Sequence, residues 1–341
     1  MTAEHTKSPV LGRPERQRLP LRDLLGLFGP PGSVRRPLLF LAIAVAASGI
    51  VAPSFLRISN LTALLISSSF LIVTAVGEAF VILMGMVDLG VQSVLASAGM
   101  MAAYLNVLLG LPAWVAVPAA LLYGVAVGWL VGLLVTRGRI ASFIVTLGTY
   151  WGLTGIALLF NRGDNINPYS VTPPRQFGFL AFAGHLGPVP TLILISVAVV
   201  AAAEVIVSAT PVGLWVKSVG SHEAAARVVG LDTDRLKTAA FMVSGGLAAL
   251  AGVMITAWQD SIYPLTGQGY SLEAIAGVIL GGIPFTGGRG TILGAAIGAL
   301  IIGLIDDLIV LLGLPALYEY IFVAIVLVIA GLQTRGKGFV K

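Results

Sequence analysis

The chain has no cysteine, only three histidines, and charge on just 10% of its 341 residues. Without cysteine there is no disulfide, iron–sulfur or thiolate chemistry. His5, His185 and His222 are scattered and no HExxH run occurs, which excludes a zinc-hydrolase helix. No GxxxxGK[ST] phosphate loop is present, so the chain does not hydrolyse nucleotide by that route, and no GxSxG nucleophile elbow appears. The shortage of charge says most. Soluble domains carry about 25% charged residues; here apolar residues make up 57% and the mean hydropathy is +0.98. Most of this surface is not built to face water. Glycine is abundant, at 42 residues, as suits helices that approach closely in lipid. The net charge of +5 sits at the ends and in a few loops, a pattern of membrane orientation rather than nucleic-acid binding.

A hydrocarbon core of about 30 Å asks for roughly 20 apolar residues per helix. The runs that qualify are 37–54, 61–85, 91–109, 114–135, 141–161, 190–209, 238–258, 272–286, 291–313 and 316–333. The expected fold is therefore all-α and polytopic, with about ten transmembrane helices. The segment 272–286 is short and closes on GGIPFTGG, so it is either a full span or a half-helix ending inside the protein. Basic residues set sidedness. Residues 1–36, rich in arginine and too long for a signal leader, read as a cytoplasmic tail with a short amphipathic helix around Leu19 to Phe28. Arg137 with Arg139, the segment 210–237, and the tail 334–341 also fall inside, and the proline-containing loop 162–189 falls outside. The transmembrane domain is then 37–333, with both termini cytoplasmic.

Between two apolar runs lies a polar island, TPVGLWVKSVGSHEAAARVVGLDTDRLK, residues 210–237. Within it HEAAARVVG has the composition of a short surface helix: alanines for propensity, Glu223 near the positive N-terminal end, Gly230 as a stop. Such a helix is either a solvated connector or a receiver of force from a cytoplasmic partner. Four acids stand where a simple span would reject them: Glu78, Asp88, Asp306 and Asp307. A carboxylate near the bilayer centre costs at least about 2.5 kcal/mol on insertion scales, so these should face a polar interior or reach an interface. Asp88, in MGMVDLGVQS with Gln92 nearby, reads as a helix N-cap near Gly90, as a pathway residue, or as both. Asp306 and Asp307 are about 100° apart on one helix, so at least one looks inward. Glu204 sits near the cytoplasmic end of its helix, where an interfacial place suffices. Gly124-x3-Gly128-x3-Gly132 and Gly294-x3-Gly298 are close-packing signals with no substrate role.

Three ordered segments resemble the permease subunit of bacterial ABC importers for simple sugars of the ribose, xylose and galactose type: VGEAFVILMGMVDLGVQSVLA (76–96), GSHEAAARVVGLDTDRLKTAAFMVSGGLAALAGVM (220–254) and GYSLEAIAGVILGGIPFTGGRGTILGAAIGALIIGLIDD (269–307). RIASFIVTLGTYWGLTGIALLFNRG (139–163) is similar as well, and the likeness covers residues from roughly 60 to 310. The chain departs from the family's pattern in places. Aligned on Gly230, Ala224 stands where the family's coupling-loop glutamate belongs and Glu223 one position early. Gly90 replaces a serine, and Asp306–Asp307 replace a pair that usually contains Asn or Arg.

The resemblance implies an ABC importer permease fold with no catalytic, cofactor or metal site of its own, ATP and magnesium being held by a separate cytoplasmic ATP-binding subunit. It also implies a periplasmic or lipoprotein sugar-binding protein outside and a second permease copy or paralogue beside it in the inner membrane. Ser221, Glu223, Ala224, Ala225, Ala226, Arg227 and Gly230 would form the ATPase-coupling helix. Glu78, Asp88, Gln92, Asp306 and Asp307 are the candidates for the substrate pathway. The alternatives are a permease for branched-chain amino acids or another small polar solute, and a proton-coupled secondary transporter.

Overall fold

A computed structural model describes residues 34–173, 180–315 and 317–334. The N-terminal helix expected around Leu19 to Phe28 and most of the C-terminal tail lie outside these. The ten expected runs all fold as helices, and two more lie in the polar island: α1 (Arg35–Val51), α2 (Ile58–Leu83), α3 (Val91–Ala103, widening into a π turn at Tyr104–Leu108), α4 (Ala113–Thr136), α5 (Ser142–Phe160), α6 (Thr191–Ala209), α7 (Pro211–Ser221), α8 (Glu223–Val228), α9 (Thr233–Gln259), α10 (Tyr270–Leu280), α11 (Ile292–Leu311) and α12 (Tyr318–Thr334). A two-stranded antiparallel hairpin, β1 (His185–Leu186) with β2 (Val189–Pro190), precedes α6.

Among the described residues, seven helices are long and apolar enough to cross a membrane: α2, α3 with its π turn, α4, α5, α6, α9 and α11. The fold is all-α and polytopic, as expected. Of the run 272–286, only the part up to Leu280 is helical, in α10. At 11 residues, α10 measures about 16 Å, half a bilayer core. It stops because Gly281 and Gly282 follow and the chain turns toward Pro284.

Burial divides the spanning-length helices into two groups. The most apolar stretch of α2 is 83% buried inside the protein and that of α5 only 17%. Helix α9 packs along α4, α2 and α3, while α11 packs along α2 and α10. Small residues make these approaches possible. A Cβ on Gly128 of α4 would fall on the carbonyl oxygen of Phe241, and one on Gly298 of α11 on that of Gly277. Both GxxxG runs are therefore contact faces, α4 against α9 and α11 against α10. An exposed apolar α5 face with Phe143, Ile144, Trp151 and Leu159 is what lipid requires of an outer helix.

Candidate functional site

Two helix breaks meet inside the bundle. The first follows Leu83, where Gly85 at φ +76° turns the chain out of α2 and toward α3. A side chain disfavours that left-handed backbone, so glycine is required. Asp88 stands in this break and is buried. Its Oδ1 accepts from the Gly90 N–H at 2.9 Å and its Oδ2 from the Ser244 hydroxyl on α9 at 3.1 Å. Its own N–H donates to Glu78 Oε1 at 3.1 Å. The N-cap reading is thus corrected in detail: Gly90 itself is the cap of α3, and Asp88 closes the turn that leads into it. Irregular backbone at this depth is tolerated because side chains satisfy it. Glu78 is fully buried, and its Oε2 has no hydrogen-bond partner.

The second break, 260–269, leads into α10 and is tied to the first. Gln92 Oε1 accepts from the Gly269 N–H at 3.1 Å, the Gln92 N–H donates to Ser271 Oγ at 3.2 Å, and the Ser271 hydroxyl donates to the Leu89 carbonyl at 2.9 Å. Beyond Gln92, a small polar-lined recess opens among Ser93, Tyr150, Thr154, Thr266 and Gln268. Glu78, Asp88 and Gln92 therefore share one region. Asp306 and Asp307 do not join it, because α11 carries them to another part of the bundle. Asp306 approaches Glu273 of α10 and Glu319 of α12, whereas Asp307 Oδ2 accepts from Asn60 Nδ2 at 2.8 Å.

The polar island folds as a platform of two short helices rather than one. Thr210 caps α7, its hydroxyl oxygen accepting from the Val212 N–H at 3.2 Å, and Pro211 opens the first turn. Gly213, Val216 and Val219 are buried. The end of α7 lies on the backbone of the bundle. A Cβ on Gly220 would overlap the Leu83 carbonyl oxygen, the Gly288 N–H donates to that same oxygen at 2.8 Å, and the Ser221 hydroxyl donates to the Gly288 carbonyl at 3.3 Å. His222, with extended backbone, separates α7 from α8. The expected stop is present: Gly230 has φ +88° two residues after Val228.

Glu223 is the hub of the platform. It receives Lys237 at 2.6 Å, Arg227 at 3.1 Å and the Thr233 hydroxyl at 3.2 Å. Arg227 also bridges to Asp234 at 2.6 Å, which fixes α8 on the first turn of α9. Partial burial pushes the Glu223 carboxyl up, but Lys237, Arg227 and Thr233 outweigh it and hold it below its ordinary value. Ala226 is buried, whereas Ala224, Ala225, Val228 and Val229 face solvent.

The sequence matches the family described as "Branched-chain amino acid transport system / permease component" over residues 60–331. The chain belongs to this family. Among relatives, it is 36% identical over 303 residues to the ribose import permease protein RbsC of Escherichia coli (strain K12), covering 89% of this chain and 94% of that one. It is 35% identical over 307 residues to the RbsC of Haemophilus influenzae, covering 90% and 94%. It is 32% identical over 283 residues to the D-allose transport system permease protein AlsC of Escherichia coli (strain K12), covering 82% and 85%. As a transporter permease the chain is not itself a catalytic enzyme.

Several residues that matter to this permease escaped the reading of its sequence. Ser244 and Ser271 are ordinary serines until the fold brings them to Asp88 and Leu89. Glu273 and Glu319 each carry a weaker signal, a single acid inside an apolar run, than the adjacent Asp306–Asp307 pair. Glu204, read as interfacial, has a partner: its Oε2 accepts from the Leu293 N–H at 2.8 Å, an anion at the open N-terminus of α11.

Proposed function

We propose that the chain is the membrane-spanning subunit of an ATP-driven, binding-protein-dependent importer that carries a simple sugar or related polyol across the inner membrane. The observation that carries this reading is its likeness, over about nine-tenths of its length, to permeases named for ribose, together with others named for allose and arabinose. Residues 37–333 form the permease domain, with 1–36 and 334–341 as cytoplasmic tails. ATP and magnesium belong to a separate cytoplasmic ATP-binding subunit. A soluble or lipoprotein binding protein delivers the cargo outside, and a second permease copy or paralogue completes the pore.

The 210–237 platform is the docking surface for the ATP-binding subunit. Ser221 ties it to the bundle, Glu223 and Arg227 hold α8 in place, Gly230 ends it, and Ala224, Ala225, Val228 and Val229 face the partner while Ala226 anchors the inner side. Val228 and Val229 are 87% and 75% exposed in water at the tip of an otherwise ionic surface, which suits burial against a protein groove. The break around Glu78, Asp88 and Gln92 lies on the substrate route. Asp306 and Asp307 flank the route from α11. A push on α7–α8 reaches the break through the Leu83 carbonyl, five residues before Asp88.

The test is reconstitution of the permease with its ATP-binding subunit and binding protein in vesicles, with labelled ribose, allose and arabinose as cargo. Uptake should require ATP hydrolysis and persist when an ionophore collapses the proton gradient. Uptake driven by the gradient with no ATP-binding subunit present would overturn the reading. Val228→Asp with Val229→Asp should abolish uptake, and release of the ATPase or hydrolysis unresponsive to loaded binding protein should accompany it. Ala226→Pro, which removes the N–H that donates to the His222 carbonyl, should act in the same direction.

A further inference from the structure

Three carboxylates, of which the transport reading gives a place only to Asp306, converge from three helices. Glu273 in the first turn of α10, Asp306 in α11 and Glu319 in the first turn of α12 place carboxylate oxygens within 4.8 Å of one another. Among the described residues, no lysine or arginine pairs with any of them. Glu273 is only 3% exposed, and its Oε1 has no hydrogen-bond partner. That oxygen lies against the α10 cap where α12 comes close, for a Cβ on Gly269 would be 2.6 Å from it and 3.5 Å from Tyr320 Cε1. Asp306 Oδ1 is likewise buried with no partner. Three acids this close, one buried and two half-buried, with orphaned oxygens on two of them, cannot all remain ionised unless positive charge joins them.

We propose that Glu273, Asp306 and Glu319 form a binding site for one hard divalent cation of the calcium class. Oxygen-only donors select a hard ion over the softer transition metals. Calcium, with bonds of about 2.3–2.6 Å, spans oxygens separated by up to about 5 Å, whereas magnesium bonds of about 2.1 Å demand a tighter, octahedral cage. The remaining coordination falls to water or backbone carbonyls, as this ion commonly accepts. Asp306 lies fourteen residues, about 21 Å, along α11 from Ile292 and so far from the α7–α8 platform. Glu319 flanks the connection between α11 and α12, which gives the ion a way in from that opposite end. Bound there, the ion clamps the half-helix α10 to α11 and α12 and fixes the orientation of the break that Gln92 and Ser271 tie to α3.

The test uses the purified full-length permease in detergent and terbium as the probe. Tyr270, three residues before Glu273 on α10, and Tyr320, next to Glu319 on α12, would sensitise terbium emission. One saturable site is expected, displaced by calcium more readily than by magnesium. The thermal midpoint should rise with calcium at constant pH. Glu273→Gln, Asp306→Asn and Glu319→Gln should each weaken terbium binding by about tenfold or more, and Asp307→Asn, bonded instead to Asn60, should not. Absence of a saturable site in the unaltered permease overturns the proposal even if every variant fails to fold. Wild-type affinity in folded variants overturns it too. A midpoint that follows pH and ignores calcium would assign the neutralising charge to protons alone and overturn it equally.

Discussion

Glu223 and Asp88 are both acids with several hydrogen-bond donors, yet they live in opposite surroundings. Glu223 sits on the platform among Lys237, Arg227 and Thr233, with water at hand for whatever those partners leave unmet. Asp88 is buried in the helix break, bonded to Gly90 and Ser244, and next to a Glu78 whose second oxygen has no partner. On the platform, losing a partner admits solvent. In the break, losing a partner strands a polar group where no solvent replaces it. The contrast teaches that the number of hydrogen bonds an acid makes says little about what its removal does; access to water decides.

The largest effect should come from Asp88→Ala. It strands the Gly90 N–H and the Ser244 hydroxyl, at about 1–3 kcal/mol for each buried orphan. Denaturation of the detergent-solubilised protein should shift down markedly, and uptake should vanish. A midpoint equal to that of the unaltered protein would break the comparison. Asp88→Asn keeps an oxygen for one donor, so it should insert and assemble while uptake is impaired. Glu78→Gln sharpens the contrast from the other side. It removes a buried carboxylate that has an unpaired oxygen, so stability should change by less than about 1 kcal/mol or improve, while uptake falls. Uptake at the normal rate would remove Glu78 from the transport route.

Smaller still is Glu223→Gln, which should lower stability by about 0.2–1 kcal/mol, the ordinary range for a solvated ion pair. The smallest effect is of pH on the platform. The folded protein holds Glu223 below its ordinary value of 4.5, so the stabilisation it confers is present above that value and is lost only as pH falls through the lower folded one. Between pH 8 and 5, hydrogen exchange across α8 should therefore not change on this account. Loosening of α8 well above pH 5 would show that Glu223 is not its hub.

Much of the fold was legible in the sequence because apolar run length is a local property. All ten runs are helices, and the two GxxxG stripes are contact faces. Local reading failed where local pattern is weak or absent. The α7 helix mixes Leu214, Trp215 and Lys217 on a short stretch, without the composition of either a span or a solvated helix. Glu204 finds the N-terminus of α11 across 89 residues, and Asp88 finds Ser244 across 156. No periodicity announces such pairs. The grouping of Asp306 with Glu273 and Glu319, rather than with Glu78 and Asp88, likewise follows from which helices pack together.

The Leu83 carbonyl accepts from Gly288 and has Gly220 pressed against it, so α2, α7 and the turn before α11 meet through peptide groups. A junction of this kind has no rotamers to swing and no long side chain to bend. It behaves as a stiff hinge pin, and the three segments have little freedom to move at different times. Any enlargement of Gly220, even by one methyl group, would shim the hinge open and leave the two ends of the molecule keeping separate time.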